Sequence, residues 1–231
     1  MTSGSVVVTV ISILLTVGVY AVSLRVRARY KSPMLTPVIL SAPVLMVIVT
    51  LAPFHISGYE HAIRIMTWFL GPATVALAVP FYRHRQVLFG NVVPMVAGLV
   101  AGTMATMVGA IVLGRAFGVT SDIEGALSLK TATAPVAMAV ATRVGAEPEL
   151  VAGVVVLFAT IVTFGGPRLM TALGISDPVA RGTAMGGIGS GQGVAIALVE
   201  SEKAGATAAV SMVLAALLVT MLAPPVVHLL T

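Results

Sequence analysis

Apolar residues fill long stretches of this chain and polar ones gather between them, at intervals that match membrane crossings rather than the faces of a soluble fold. The first run, about Ser5 to Leu24, ends at Arg25, Arg27, Arg29 and Lys31. That cluster belongs in the cytoplasm, which puts the N-terminus outside. No basic residue precedes the run, so it reads as a retained first helix rather than a cleaved signal. A second run, Pro33 to Pro53, stops at a polar turn with His55, Glu60 and His61; a third, about Ile63 to Tyr82, is interrupted at Gly71-Pro72 and closes on Arg83-His84-Arg85. Tyr30 and Tyr82 are expected at the inner interface and Tyr59 at the outer one.

The fourth run, about Val87 to Phe117, is too long for one straight span and is expected to tilt or kink near Pro94 and Gly98. A fifth spans about Ile123 to Val144, a sixth Glu149 to Leu173, a glycine-laden seventh Val179 to Val199, and the eighth starts at Ala204. The predicted fold is an all-α polytopic membrane protein, one integral membrane domain over residues 1–231 with about eight hydrophobic segments. Val75-Ala-Leu-Ala-Val79 and Val194-Ala-Ile-Ala-Leu198 each follow a helix breaker. Their offset of 119 residues suggests two repeats, 1–118 and 119–231. They are parallel if every run crosses and inverted if a broken segment re-enters.

Composition agrees: 58% of residues are hydrophobic, 9% are charged and the mean hydropathy is +1.07, against about a quarter charged in ordinary soluble domains. The net charge of +5 records orientation in the membrane rather than nucleic-acid binding, because the basic residues cap apolar runs. Without cysteine there are no disulfides, thiolate metal sites or cysteine nucleophiles. The four histidines, His55, His61, His84 and His228, sit at segment ends without ligand spacing. Gly189-Ser190-Gly191 lacks the intramembrane histidine a serine nucleophile needs. No enzyme activity, metal or cofactor is expected.

Three segments are broken near mid-depth, at Gly71-Pro72, at Thr133-Ala-Pro135 and over Gly186 to Gly193. Broken backbone persists in a bilayer only where protein or a watery cavity satisfies it. Pro72 and Pro135 suit the first turn of half-helices, whose amide ends attract anions. Lys130 lies about eight residues into the fifth run, or roughly 12 Å along a helix, and its nearest acids in that run, Asp122 and Glu124, stand at one end. A bound carboxylate is the expected partner, with Thr131 and Thr133 donating hydroxyls and with Gly189, Ser190, Gly191, Gln192 and Gly193 as the facing wall. Two plainer readings stand beside this one: the breaks are packing faces or proline kinks, and Lys130 snorkels to the interface.

Phe69-Leu-Gly-Pro-Ala-Thr-Val-Ala-Leu-Ala-Val-Pro80, Leu129-Lys-Thr-Ala-Thr-Ala-Pro-Val-Ala-Met138 and Asp177-Pro-Val-Ala-Arg-Gly182 resemble the LrgB/CidB family of bacterial membrane proteins, which is similar to the C-terminal part of the plastidal glycolate/glycerate translocator. The resemblance covers nearly the whole chain. It implies that Lys130, Thr133 and Pro135 stand in the family's Lys-Ser-Val-Thr-Thr-Pro pattern, and Gly71, Pro72 and Thr74 in its Gly-Pro-Ala-Thr pattern. The chain departs from the family at Ala139, Ser190 and Ile196, where Glu, His and Lys are usual.

Two functions are implied. One is a secondary transporter of small monocarboxylates, of the glycolate, glycerate, pyruvate or lactate class. The other is an antiholin-like modulator of murein hydrolase export, autolysis or permeability, acting with a small LrgA/CidA-type partner. A multi-pass location in the cell (inner) membrane and assembly into a homo-oligomer are expected.

Overall fold

A computed structural model describes residues 3–30, 37–51, 56–69, 72, 75, 82 and 85–230. The regular structure among them is entirely helical: α1 (Ser3–Tyr30), α2 (Pro37–Leu51), α3 (Ile56–Trp68), α4 (Arg85–Gly90), α5 (Val92–Ala116), α6 (Ser121–Ser128), α7 (Ala134–Ala141) with a 3-10 turn (Thr142–Val144), α8 (Pro148–Ala172), α9 (Pro178–Glu200) and α10 (Glu202–Leu230). Residues Val6–Tyr30, Val92–Ala116, Pro148–Ala172 and Glu202–Leu230 form helices long and apolar enough to cross a membrane. The fold is that of an all-α membrane protein.

The chain forms two compact units, Met1–Ala78 and Val79–Thr231. In the first, α1 runs on through Arg25, Arg27 and Arg29, so those residues extend a helix instead of forming a loop. Its buried hydroxyls close onto their own helix: Ser12 donates to Val8 O at 2.8 Å and Ser23 to Val19 O at 2.9 Å. Thr16 spends its proton on Ser12 O and accepts from the Tyr59 hydroxyl at 3.1 Å. Tyr59 therefore reaches the middle of α1, not the outer interface expected for it; inside an apolar layer its hydroxyl needs a partner, and Thr16 supplies one.

In the second unit the long run from Val87 breaks at Asn91, and α5 continues unbroken past Pro94 and Gly98. Pro94 falls in the first turn, where its missing N–H costs no hydrogen bond, so the expected kink there does not form. At the far end of α5, Gly118 takes φ 68°, with Val119 N–H on Gly114 O at 2.9 Å. Gly174 does the same after α8 at φ 72°, with Ile175 N–H on Met170 O at 2.8 Å. These left-handed glycine caps satisfy the last carbonyls and let the chain reverse at the surface.

After each cap the chain goes back in and turns round before crossing. Along a straight helix Arg181 and Glu200 would lie about 28 Å apart; instead Arg181 Nη2 meets Glu200 Oε1 at 2.6 Å and its Nε meets Oε2 at 2.7 Å. Ser190 has φ 50° and ψ −144° within α9, so residues 178–189 and 191–200 are the two arms of a hairpin with Ser190 at its tip. Gly193 lies so close to the Met185 carbonyl that a Cβ would overlap it. The fifth run folds the same way: α6 leads in, residues 129–133 form the tip, and α7 leads out until the Val144 carbonyl touches Gly125.

The hairpins enter from opposite ends. Met107 and Ile111 of α5 share one core with Val151 and Val155 of α8 and Val219, Ala223 and Val227 of α10, whereas Met95 packs on Val179. Thus α8 runs against α5, and α10 runs with it. The bounds repeat at an offset of 56 residues, 92 with 148, 116 with 172, and 144 with 200. This spacing differs from the 119-residue offset; Val136-Ala-Met-Ala-Val140 and Val194-Ala-Ile-Ala-Leu198 are alike at a nearby offset of 58 residues.

The inward arm of the second hairpin lies against α10 by glycine contact. A Cβ on Gly182 would strike the Ala204 carbonyl, and one on Gly186 the Ala208 carbonyl. Part of the glycine cluster is thus a helix-packing face, as small residues are wherever membrane helices approach closely. Gly186→Leu is expected to cost at least about 2 kcal/mol through overpacking and to lower the melting temperature in detergent, while Gly153→Ala, with open space around it, leaves it unchanged. Ser190→Gly removes a strained backbone position of about 1–3 kcal/mol, so the same assay is expected to show a higher melting temperature.

Candidate functional site

Both tips reach the middle of α8. The Lys130 ammonium stands 5.8 Å from the centre of the Phe158 ring, and Thr160 Oγ1 donates to Gln192 Oε1 at 3.3 Å. Gly189 faces Val162. One turn of α8 therefore touches both chain reversals, and this brings the Lys130 and Gln192 walls of the sequence reading to one level.

Lys130 has partners within the chain. Its ammonium donates to Thr106 O at 2.6 Å and Leu127 O at 3.2 Å, and the residue is 7% exposed. Leu127 lies in the last turn of α6, whose final carbonyls have no helical partner, so the cation caps a helix C-terminus and ties the tip to α5. The missing partner is two backbone carbonyls and an aromatic face. Beyond the tip, Thr133 in extended conformation (φ −75°, ψ 146°) precedes α7, and Pro135 lies in its first turn. That is the half-helix start expected from the proline, although the Thr133 side chain makes no cap bond and Pro135 is exposed.

The base of the second hairpin is closed by Arg181. Besides Glu200, its guanidinium donates to Thr171 Oγ1 at 3.2 Å, Ile175 O at 2.9 Å and Pro167 O at 3.2 Å. All five N–H groups are used, which fixes both arms to the end of α8 in a way no lysine can copy. Asp177 Oδ2 accepts the Ala180 N–H at 2.8 Å, capping the inward arm.

A cavity of about 370 Å³ lies between α5 and that inward arm. Asn91 and Asp177 stand at its surface end; Thr103, Thr131 and Ile188 line it at mid-depth, among Pro94, Met95, Leu99 and Val179. Of the residues singled out in the sequence as site walls, Thr131 lines it, with Gly187 and Ile188 of the glycine cluster. Lys130, Thr133, Pro135, Gly189, Ser190, Gly191, Gln192 and Gly193 do not. Pro72 is exposed and belongs to the first unit, and Gly71 and Thr74 lie outside the described residues. Sequence reasoning passed over Thr103 and Thr183. Both follow a glycine, Gly102 and Gly182, and a hydroxyl beside a small residue in an apolar run was the available signal.

The LrgB-like family profile matches residues 16–229. Among curated proteins, the chain is 31% identical to uncharacterized protein YxaC of Bacillus subtilis strain 168, covering 96% of each, and 30% identical to uncharacterized protein YwbG of the same strain, covering 93% of this chain and 96% of that one. Antiholin-like protein LrgB of Bacillus mycoides strain KBAB4 is 23% identical over 82% of each chain. No solved structure matches. A profile match over nearly the whole length, with two relatives at 30% or above, makes this membrane protein a member of the LrgB-like family.

Proposed function

We propose that the protein is a secondary transporter of small monocarboxylates of the glycolate, glycerate, pyruvate or lactate class, in the cell (inner) membrane and without a catalysed reaction. The observation that supports this reading is the pair of helical hairpins that turn round inside an apolar unit and meet one turn of α8 beside a cavity. Transporters place their sites where broken helices of oppositely oriented repeats meet near mid-membrane. In this reading α5 with the first hairpin and α8 with the second form an inverted pair, and access alternates as one moves against the other. Lys130 acts by holding its tip to α5 rather than by touching solute.

The second reading is an antiholin-like modulator of murein hydrolase export, autolysis or permeability, acting as a homo-oligomer and with an LrgA/CidA-type partner. The name of the Bacillus mycoides relative, antiholin-like protein LrgB, supports it more directly than it supports the carrier. The readings differ in kinetics. A carrier saturates and is competed by related acids, whereas a permeability pathway passes solutes without saturation.

Uptake of labelled glycolate, glycerate, pyruvate and lactate into proteoliposomes is expected to saturate for at least one acid. In Lys130→Ala, which removes the link from the first tip to α5, it is expected to fall at least tenfold. Equal uptake by both proteins removes Lys130 from the mechanism, and no uptake of any of the four acids overturns the carrier.

A further inference from the structure

Three threonine hydroxyls of the second unit share one property. Thr183 Oγ1 is buried without a hydrogen-bond partner, and the Thr103 and Thr131 hydroxyls make no hydrogen bond among the described residues although each residue is only 4% exposed. Elsewhere the buried threonines of this unit turn their hydroxyls onto the preceding turn, as Thr163 does to Ala159 O at 2.7 Å and Thr207 to Lys203 O at 2.8 Å. Thr103, Thr131 and Thr183 come from α5, the first tip and the second hairpin, and all three line the 370 Å³ cavity. Thr183 Oγ1 is enclosed in the wall, as Ser211 Oγ is away from it, whereas the Thr103 and Thr131 hydroxyls open onto the cavity without a protein partner among the described residues, so these two are free to bond a ligand there.

We propose that this cavity is a binding site for a compact, uncharged, hydroxyl-bearing solute, which is either a short polyol or a short hydroxy acid in its undissociated form. The walls set the charge. No Lys, Arg or His is among the described residues lining the cavity, the Lys130 ammonium being spent on carbonyls outside it, and the ionisable side chain present is Asp177 at the surface end. A carboxylate entering there meets a like charge and then an apolar enclosure with no cation, where an unpaired ion is far less stable than in water. A hydroxyl both donates and accepts, so the Thr103 and Thr131 hydroxyls suit a solute with donors and acceptors of its own. The volume lies within the range of small-molecule pockets. The inference deepens the carrier reading by naming the state in which the acid is taken, and as a binding site it is testable apart from transport.

The test uses the purified full chain in lipid nanodiscs, with binding of glycerol and of glycerate followed by saturation-transfer NMR from acid to neutral pH. Saturable binding is expected for glycerol at every pH, for glycerate in proportion to its undissociated fraction, or for both; which of them binds separates the polyol from the acid. Gly102 lines the cavity and has open space where a Cβ would go, so Gly102→Leu fills the site without disturbing packing and is expected to abolish binding. Gly109→Leu, on the same helix with equally open surroundings but off the cavity, is expected to keep it. Thr103→Val and Thr131→Val are each expected to weaken binding about tenfold. Tighter binding of glycerate at neutral than at acid pH, binding unchanged by Gly102→Leu, or no binding of either solute overturns the site. Saturable uptake by a protein that fails this test leaves the carrier standing and removes this cavity from it.

Discussion

A chain that reverses inside a bilayer carries backbone N–H and C=O groups to a depth where no water meets them, and each left unpaired costs several kcal/mol. Two reversals of that kind define the second unit, and its most unusual residues answer that one constraint. The first tip is closed by a cation, whose ammonium takes up Thr106 O and Leu127 O. The second is closed by removal of side chains: Gly193 approaches the Met185 carbonyl, and Gly182 and Gly186 let α10 lie against the inward arm. Charge and smallness are alternative solutions to one problem.

The two solutions leave different consequences at the surface. Arg181 joins both arms of the second hairpin to the end of α8 with five donors, so that hairpin is fixed at its base and free of charge at its tip. In the first, the base contact is the weaker pair of Arg115 with Glu124 at 3.5 Å, and the strong polar contact is at the tip. If the unit has a moving part, motion about the first base would break the Lys130 contacts, whereas the second hairpin turns as a rigid piece with α8.

Much of this was legible in the sequence. The first, sixth, seventh and eighth apolar runs match the described helices closely because length and hydropathy are set by the bilayer, while the third lies largely outside the described residues, and both breaks in the second unit fall where Pro135 and the glycine cluster put them. The direction of the chain after a break was not legible. Whether a helix interrupted at Ser190 goes on across or turns back is decided by pairing at its far ends, Arg181 with Glu200 and Gly125 with Val144, which are 19 residues apart and silent in any local pattern. For the same reason Lys130 looked unpaired: its partners are backbone carbonyls, which every residue has and no sequence motif displays. Tyr59 was misplaced on the rule that tyrosines favour interfaces, a rule that yields where a neighbouring helix offers Thr16 as an acceptor.

The 56-residue offset gives the threonine-lined cavity a structural origin. Hairpins entering from opposite ends place their tips at one level only if each is much shorter than the helices beside them, as arms of 8 to 12 residues at 1.5 Å per residue are against the 25 residues of α5 and of α8. Beneath such a tip the remaining half of the layer must be filled by the partner hairpin or left open. Thr131 belongs to one tip and Thr183 to the arm of the other, with Thr103 on the helix between them, and the space they line is the part that the inward arm leaves beside α5. A cavity reaching from the surface to mid-depth is thus a consequence of two half-length insertions, and the Thr103 and Thr131 hydroxyls that face it are what distinguishes it from a packing defect.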